Sequence, residues 1–360
     1  MTDERIAIIG AGPAGMEAAI TAGDLGAEAI VIEKRDVAGG MPDEANYAAL
    51  TPDLRDTDEA MAPMIEEFET HENIDVRTGS RVTEAAGEAG DFTLTVENGE
   101  GTDELDVDSV IVATGFDHFD PSEETQQYGY AEFDDVITLP DAEEMLKDGS
   151  FERPSTGEDP ESVCFIQCVG SRDRQIGNQW CSKVCCGIAT KEAIEVKEEH
   201  PDANVIIFYI DMRMYGFWED ELYWKAQEEH NVRFVRGIAT EITQQGDQVV
   251  VKGEDTTMGR PYEIPMDVVV LSVGMEPSTG SLEVADQLDL PLEDHGFIET
   301  TSGPLDTVET SREGIYVAGA AAGPKDLEDS ISMAGSAAAK AVSAARSRPT
   351  PATDGGQTDG

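Results

Sequence analysis

Two strand–turn–helix–strand blocks, followed by a closing strand, glycine turn and alanine-rich helix, predict an α/β fold of two Rossmann-like, three-layer domains. The blocks open at "RIAIIGAGPAG" and "VCFIQCVGS", and the closing segment at "GIYVAGAAAG". A chain of 360 residues can bury two cores of ordinary domain size.

In the first block a β-branched run passes through Gly10-x-Gly12-x-x-Gly15 into an alanine-rich helical pattern and a second strand ending at Glu33. Gly10 permits the tight turn, Gly12 lets backbone approach a pyrophosphate, and Gly15 lets helix and strand pack closely, while the helix N-terminus supplies positive dipole. Glu33 is spaced to accept hydrogen bonds from a ribose diol, which suits FAD or NAD and disfavours a 2′-phosphate.

After "AGGM" come an acidic, loop-rich stretch, a helical pattern near 60–71, and strands in "FTLTV" and "LDVDSVIVATGF", whose Ala113, Thr114 and Gly115 close the block. The linker "FERPSTGEDPES" leads to strand "VCFIQCVGS", helix "CSKVCCGIATKEAIEVKEEH", strand "NVIIFYIDMR", a helix through "EDELYWKAQEEH" and strand "VRFVRG". "QVVVKG" and "DVVVLSVGMEP" end the second block, and the polar tail "SRPTPATDGGQTDG" is expected to be disordered.

Acidic residues number 75 against 24 basic ones, a net charge of −51, so nonspecific nucleic-acid binding is excluded by repulsion from phosphate. Disorder is a poor reading, because 39% of residues are hydrophobic and fall in strand-like runs. Adaptation to high salt is the expected source of the acidity, since a screening length of about 3 Å at 1 M suppresses self-repulsion. The opening residues lack a leader pattern and no apolar run approaches a membrane span, so a soluble, cytoplasmic protein without direct membrane insertion is expected, its thiols reduced.

All 5 cysteines fall within 164–186, "CFIQCVGSRDRQIGNQWCSKVCC", where a nicotinamide-binding domain would repeat the glycine fingerprint. Only Gly170 and Gly177 remain there, so a pyrophosphate cradle is not expected. Cys164 and Cys168 lie about 13 Å apart on an extended strand, too far to share a small site. Cys164, inside "VCFIQC", therefore reads as a buried structural thiol, and Cys168 as a site residue at the strand's carboxyl end. Cys181 and Cys185 are expected at i and i+4 on the helix start, with Cys186 beside them and Cys168 brought in by the turn. An iron–sulfur site leads the readings; a Cys181/Cys185 redox disulfide, zinc and no cofactor are the others, zinc being disfavoured by one usable cysteine at one end and an adjacent pair at the other.

The order of "IIGAGPAG", "IEKR", "GGM", "VIVATG", "LSVGMEP" and "GIYVAGA" resembles the flavoproteins with two dinucleotide-binding domains, in which the FAD domain is split and the second domain inserted in it. That resemblance implies FAD-binding parts at 1–120 and 279–346, an inserted domain at 121–278 and a tail at 347–360. It implies a flavin site drawn from Gly10, Gly12, Pro13, Ala14, Gly15, Glu33, Lys34, Gly40, Met41, Val82, Ala113, Thr114, Gly115, Gly319, Ala320, Ser330 and Ile331. Ala320 stands where many relatives carry an acidic residue for the ribityl chain, so that contact is expected to be lost or made otherwise.

"FIQCVGSRD" and "WCSKVCCGIATKEA", flanked by "YGYAEFDDVITLPDAEEML" and "IDMRMYGFWEDELYWKAQEEHNVRFVRG", are similar to the flavoprotein HdrA of heterodisulfide reductases and to the flavoprotein subunits of quinone-interacting oxidoreductases, over about residues 5–345. The likeness implies that Cys168, Cys181, Cys185 and Cys186 hold a [4Fe–4S] cluster and that Lys191 lies beside the flavin. Full-length members also carry ferredoxin-type motifs; the 5 cysteines here leave none for them, so one flavin and one cluster are implied and electron bifurcation is not.

Without the resemblance Lys191 reads as a solvated helix lysine. "MYGFWEDELYW" reads as aromatic packing against the sheet, with a docking surface as the alternative, and His118, His200 and His230 are assigned no role. The expected function is that of an FAD and [4Fe–4S] oxidoreductase subunit passing electrons between flavin, cluster and partner redox subunits, of the heterodisulfide reductase B and C type or a ferredoxin-like carrier, with a homodimer as a further expectation. The rival readings are a self-sufficient NAD(P)H-dependent disulfide or quinone reductase, and a flavoprotein scaffold whose cluster is structural or sensory.

Overall fold

The computed structural model describes residues 4–124, 126–301 and 303–347, so the tail beyond Ser347 lies outside the described residues. Arg5–Ile9 is the middle strand of a five-stranded parallel sheet, ordered Ile315–Val317, Ser109–Val112, Arg5–Ile9, Glu28–Ile32, Ile74–Arg77. Both faces are covered, which is why "RIAII" and "SVIV" are continuous apolar runs and not alternating ones. Helices Pro13–Asp24 and Leu327–Arg346 pack on each other through small residues, among them Ala18, Ala22, Ala334, Ala338 and Ala341, all fully buried. The antiparallel strands Ser80–Glu88, Asp91–Asn98 and Gly101–Val107 add Phe92, Leu94 and Val96 to the same core. Strands from both ends of the chain thus share one sheet.

A second, seven-stranded sheet is ordered Val136–Thr138, Val268–Val273, Ser162–Val169, Asn204–Tyr209, Arg233–Gln245, Gln248–Asp255, Arg260–Met266. Its first five strands are parallel and the last two pairings antiparallel. The linker ahead of Ser162–Val169 is tied down by charge: the buried Arg153 guanidinium donates to Asp135 at 2.9 and 3.0 Å, and Ser155 donates to the same carboxylate from its amide and its hydroxyl. The two places where the chain crosses between the sheets pair as an antiparallel ribbon, Phe116–His118 with Met275–Pro277. No described helix is long and apolar enough to cross a membrane.

Two sequence expectations are corrected. The helix of the second block is Cys185–Glu199, so Cys181 precedes it and is not paired with Cys185 at i and i+4; Lys183, at φ 65°, takes the chain out of the right-handed helical region just before. The aromatics of 212–224 also divide. Trp218 is buried on Gly187, but Phe217 is 80% exposed, with Tyr215 and Trp224 about half as much.

Candidate functional site

The first turn is built by steric necessity. Gly10 has φ 106°, and a Cβ there would lie 2.5 Å from the Ala113 carbonyl oxygen; one on Gly15 would fall 1.8 Å from the Gly10 oxygen. Helix Pro13–Asp24 starts from Gly12 with no side chain capping it, so its first-turn N–H groups and dipole are left for a ligand. At the end of the next strand the buried Glu33 carboxylate accepts from Ala11 N–H at 2.6 Å and Arg35 N–H at 2.8 Å, which aims it while leaving acceptor capacity for hydroxyls.

These groups line a cavity of about 410 Å³, within the size range of small-molecule sites. Gly10, Gly12, Pro13, Ala14, Glu33, Lys34, Gly40, Met41, Val82, Ala113, Thr114, Gly115, Ala320, Ser330 and Lys191 all reach its wall. Gly15, Gly319 and Ile331 do not. Gly15 packs against the Gly10 backbone, Gly319 against Ala14, where a Cβ would come within 2.8 Å of the Ala14 methyl, and Ile331 is half-buried on the Leu327–Arg346 helix. Asp326 and Lys325, which lie just beyond Ala320, also line the cavity; Asp326 caps that helix by accepting from Asp329 N–H at 2.8 Å.

The far wall comes from the second sheet's unit, as Val184, Ile188, Lys191, Trp218 and Met275. Lys191 is only 1% exposed and donates to both oxygens of Glu143, at 2.5 and 2.6 Å, and lies 3.0 Å from Glu195. Burial works against its ammonium, but the carboxylates beside it, Glu143 first and then Glu195, outweigh burial and hold it protonated above the ordinary lysine range. Lys191 is therefore a buried, paired cation at the cavity wall.

Helix Cys185–Glu199 carries Cys185 and Cys186 in its first turn and Lys191 about one and a half turns later, about 8 Å along the axis. Cys168 sits at φ 67° in strand Ser162–Val169, where pairing with Val268–Val273 slips register between Ile166 and Val169. Cys168 and Cys181 are half-buried and Cys185 and Cys186 buried. The four feel one another electrostatically: burial pushes Cys168 up to about 11, with Cys186 and Cys181 adding to it and Arg172 opposing. Cys186 is drawn down to about 7 because the Cys185 thiol donates to it, against burial and with help from Arg213 and Arg172. Arg172 donates to Asp211 at 2.8 Å through Nη2, while its buried Nη1 has no partner. Among the described residues no group of three or more His, Cys, Asp or Glu side chains is set to hold a single metal ion. Cys164 is fully buried on its strand, its thiol pushed far up by burial alone.

Several site residues escaped the sequence reading. Tyr47, Glu143 and Lys325 reach the cavity from segments whose sequence gives no sign of it. His118, to which no role was assigned, has both ring nitrogens buried without partners and is pushed down to about 4 by burial, Asp117 opposing. It borders a second space of about 20 Å³, shared with Tyr47, Glu143, Ser182 and Cys185, large enough for one water between Cys185 and Glu143.

The family model for pyridine nucleotide-disulphide oxidoreductases matches residues 1–135 and 210–345. Among curated proteins, the A-type subunit of the H(2):CoB-CoM heterodisulfide,ferredoxin reductase of Methanothermobacter thermautotrophicus is 30% identical, over 94% of this chain and 64% of its own length. The corresponding subunit of the H(2)/formate:CoB-CoM heterodisulfide,ferredoxin reductase of Methanococcus maripaludis is 39% identical over 66% of this chain and 37% of its own length. The chain thus spans less than two-thirds of these relatives. Among solved structures, thioredoxin reductase of Lactococcus lactis superposes with a TM-score of 0.66 at 20% identity, covering 96% of this chain and 100% of that one, and that of T. acidophilum with 0.64 at 21%, covering 96% and 99%. The two-domain flavoprotein fold and the likeness to HdrA of heterodisulfide reductases expected from the sequence are borne out. The chain belongs to the pyridine nucleotide-disulphide oxidoreductase family, and the expectation of an FAD-dependent oxidoreductase is borne out with it.

Proposed function

We propose that this family member is a cytoplasmic FAD- and [4Fe–4S]-carrying electron-transfer subunit that works with other redox subunits, as the naming of its relatives as subunits of larger reductases suggests. The observation that carries the reading is the Cys185–Glu199 helix, which begins among the thiols and ends its second turn at the cavity wall. In this reading the FAD-binding parts are 1–120 and 279–346, and 121–278 is the inserted domain. The bare helix end at Gly12 would take the pyrophosphate, Glu33 the adenosine ribose, and Ala113 to Gly115 with Ala320 and Ser330 the flavin half. Asp326, a carboxylate lining the cavity just beyond Ala320, would make the ribityl contact that Ala320 cannot, through lone pairs left over from Asp329 N–H and from Lys183, 2.7 Å away.

Cys168, Cys181, Cys185 and Cys186 would ligate the cluster. The four thiols influence one another electrostatically, and together they would supply the four thiolates that such a cluster needs. The orphaned Arg172 Nη1 is a donor for bound sulfide or thiolate. Bound there, the two groups would supply paired-electron and single-electron chemistry. The chain's own part is to hold Lys191 as a fixed cation beside the flavin, to line the gap between the two sites with the apolar Val184 and Ile188, and to neutralise thiolate charge with Arg172 and Arg213.

Metal, sulfide and flavin analysis of anaerobically purified protein tests this reading: about one flavin and four iron per chain are expected, whereas zinc without iron contradicts the cluster. The family also includes enzymes that take a pyridine nucleotide, so NAD(P)H is the second reading. Rapid bleaching of the flavin by NAD(P)H would establish that reading; the cysteine turn in place of a second glycine cradle predicts none. High-salt adaptation is part of the same account: with a net charge of −51, the melting temperature should rise between about 0.1 and 2 M KCl, and a flat response removes it.

A further inference from the structure

One lysine in this fold faces more carboxylates than it can neutralise. Lys191, Glu143 and Glu192 are at most 2% exposed, and Glu195 is largely buried beside them. With all three carboxylates ionised the cluster would carry two uncompensated negative charges away from water, a costly arrangement. The contacts show which group gives way. Glu143 receives Lys191 on both oxygens and Ala48 N–H at 3.0 Å; Glu195, which keeps some exposure, has Oε2 3.0 Å from the Lys191 ammonium but outside hydrogen-bond geometry; fully buried Glu192 has neither a donor on either oxygen nor an ion pair. A carboxylate without a donor is the unstable species; a carboxylic acid in the same place has its own O–H to give.

We propose that Glu192 is a neutral acid in the resting protein, shares its proton with Glu143, and acts through Lys191 as the proton reserve of the cavity. In the relay, the Glu192 O–H bond breaks and the Glu143 carboxylate takes the proton; the Lys191 ammonium gives a proton to a basic atom in the cavity and is reprotonated from Glu143. One proton has then entered the cavity and one negative charge is left on Glu192. Glu192 is thus a positioning residue that reaches the cavity only through its neighbours. The groups that face it are Glu143 from helix Leu139–Lys147, Lys191 and Glu195 from its own helix, and Tyr47 with Glu44 behind it. Burial first, then Glu143 and Glu195, hold its proton on, Lys191 opposing. The use of the proton rests on the proposed flavin site; its presence on Glu192 does not.

Infrared spectra at pH 7 in H₂O and D₂O, with and without bound flavin, read the neutral carboxyl directly. Wild type should show a protonated-carboxyl carbonyl band that shifts in D₂O, Glu192→Gln should lack it, and Glu192→Asp should keep it displaced, which carries the test if the Gln variant does not fold. A wild-type spectrum without the band, or a band that survives in Glu192→Gln, overturns the proposal. Stability supplies an independent sign: since folding raises this carboxyl's affinity for its proton, wild-type stability should fall as pH rises from the ordinary Glu range, about 4.3, through the raised folded value, and Glu192→Gln should not share that fall. With flavin bound, its reduction in Glu192→Gln should slow on the order of tenfold at unchanged flavin affinity, and an unchanged rate overturns the relay. A band that behaves as expected in a protein that binds no flavin would support the Glu192 assignment while contradicting the cavity reading.

Discussion

The turns after Arg5–Ile9 and Ser162–Val169 occupy the same place in the parallel parts of two sheets, the carboxyl end of an inner strand, and offer opposite chemistry. The first is short and bare: Gly10 and Gly12 expose backbone, the helix end is uncapped, and the buried charge beside it is the Glu33 carboxylate. The second is long and tied to itself. Arg172 N–H donates to the Trp180 carbonyl and Asp173 N–H to that of Asn178, both at 2.8 Å, while Asn178 Nδ2 donates to Gly170 O and Glu276, and Trp180 Nε1 to Met275 O. A cradle for an anion needs free N–H groups; a turn whose amides are already used can still present side chains, and here these are thiols and arginines. The position where open α/β sheets place ligands is thus kept while the ligand class changes.

The comparison can be broken most severely at the bare turn. Gly15→Val places a Cβ where the Gly10 carbonyl oxygen already sits, so helix and strand must separate; flavin content should fall to near zero, with a stability loss of about 3 kcal/mol or more, while iron stays on the second turn. Flavin fluorescence after denaturation and iron analysis read both halves, and loss of both groups together would mean that the two turns are not independent.

Next in size is the wall between them. Lys191→Met leaves Glu143 buried without its cation and should cost about 3–5 kcal/mol in urea unfolding. In protein that still folds, removing a positive charge beside the flavin makes its reduction harder, so the midpoint potential should move to more negative values. An unmoved potential would place the lysine away from the flavin. A smaller effect is expected at the strand of the second turn, where Cys164→Ala removes one small buried group and should cost about 1 kcal/mol, which a shift in urea midpoint would show.

The bare turn was legible in the sequence because steric rules act on adjacent residues: Gly10, Gly12, Gly15 and Glu33 specify their roles through a local spacing. The cysteine turn was legible in composition but not in shape. The i, i+4 spacing placed Cys181 with Cys185 on the helix start, yet Lys183 adopts a positive φ and the helix waits for Cys185. Glu143, Glu192 and Tyr47 were not legible at all, because what joins them is burial around one lysine, and they come from three separate segments. His118 was passed over for the same reason: the aspartate next to it in sequence suggested solvent, while the fold buried both ring nitrogens.

The most direct measurement counts iron, sulfide and flavin per chain in Cys186→Ser and Cys164→Ala, two thiols of one segment to which the account gives opposite roles. Cys186→Ser removes a soft ligand at the helix start and should lose the cluster or hold it unstably, while the flavin, bound through the other turn, stays at about one per chain. Cys164→Ala should keep both. A full cluster in Cys186→Ser together with iron loss in Cys164→Ala, in folded protein, would contradict the account and require the second turn's ligands to be redrawn.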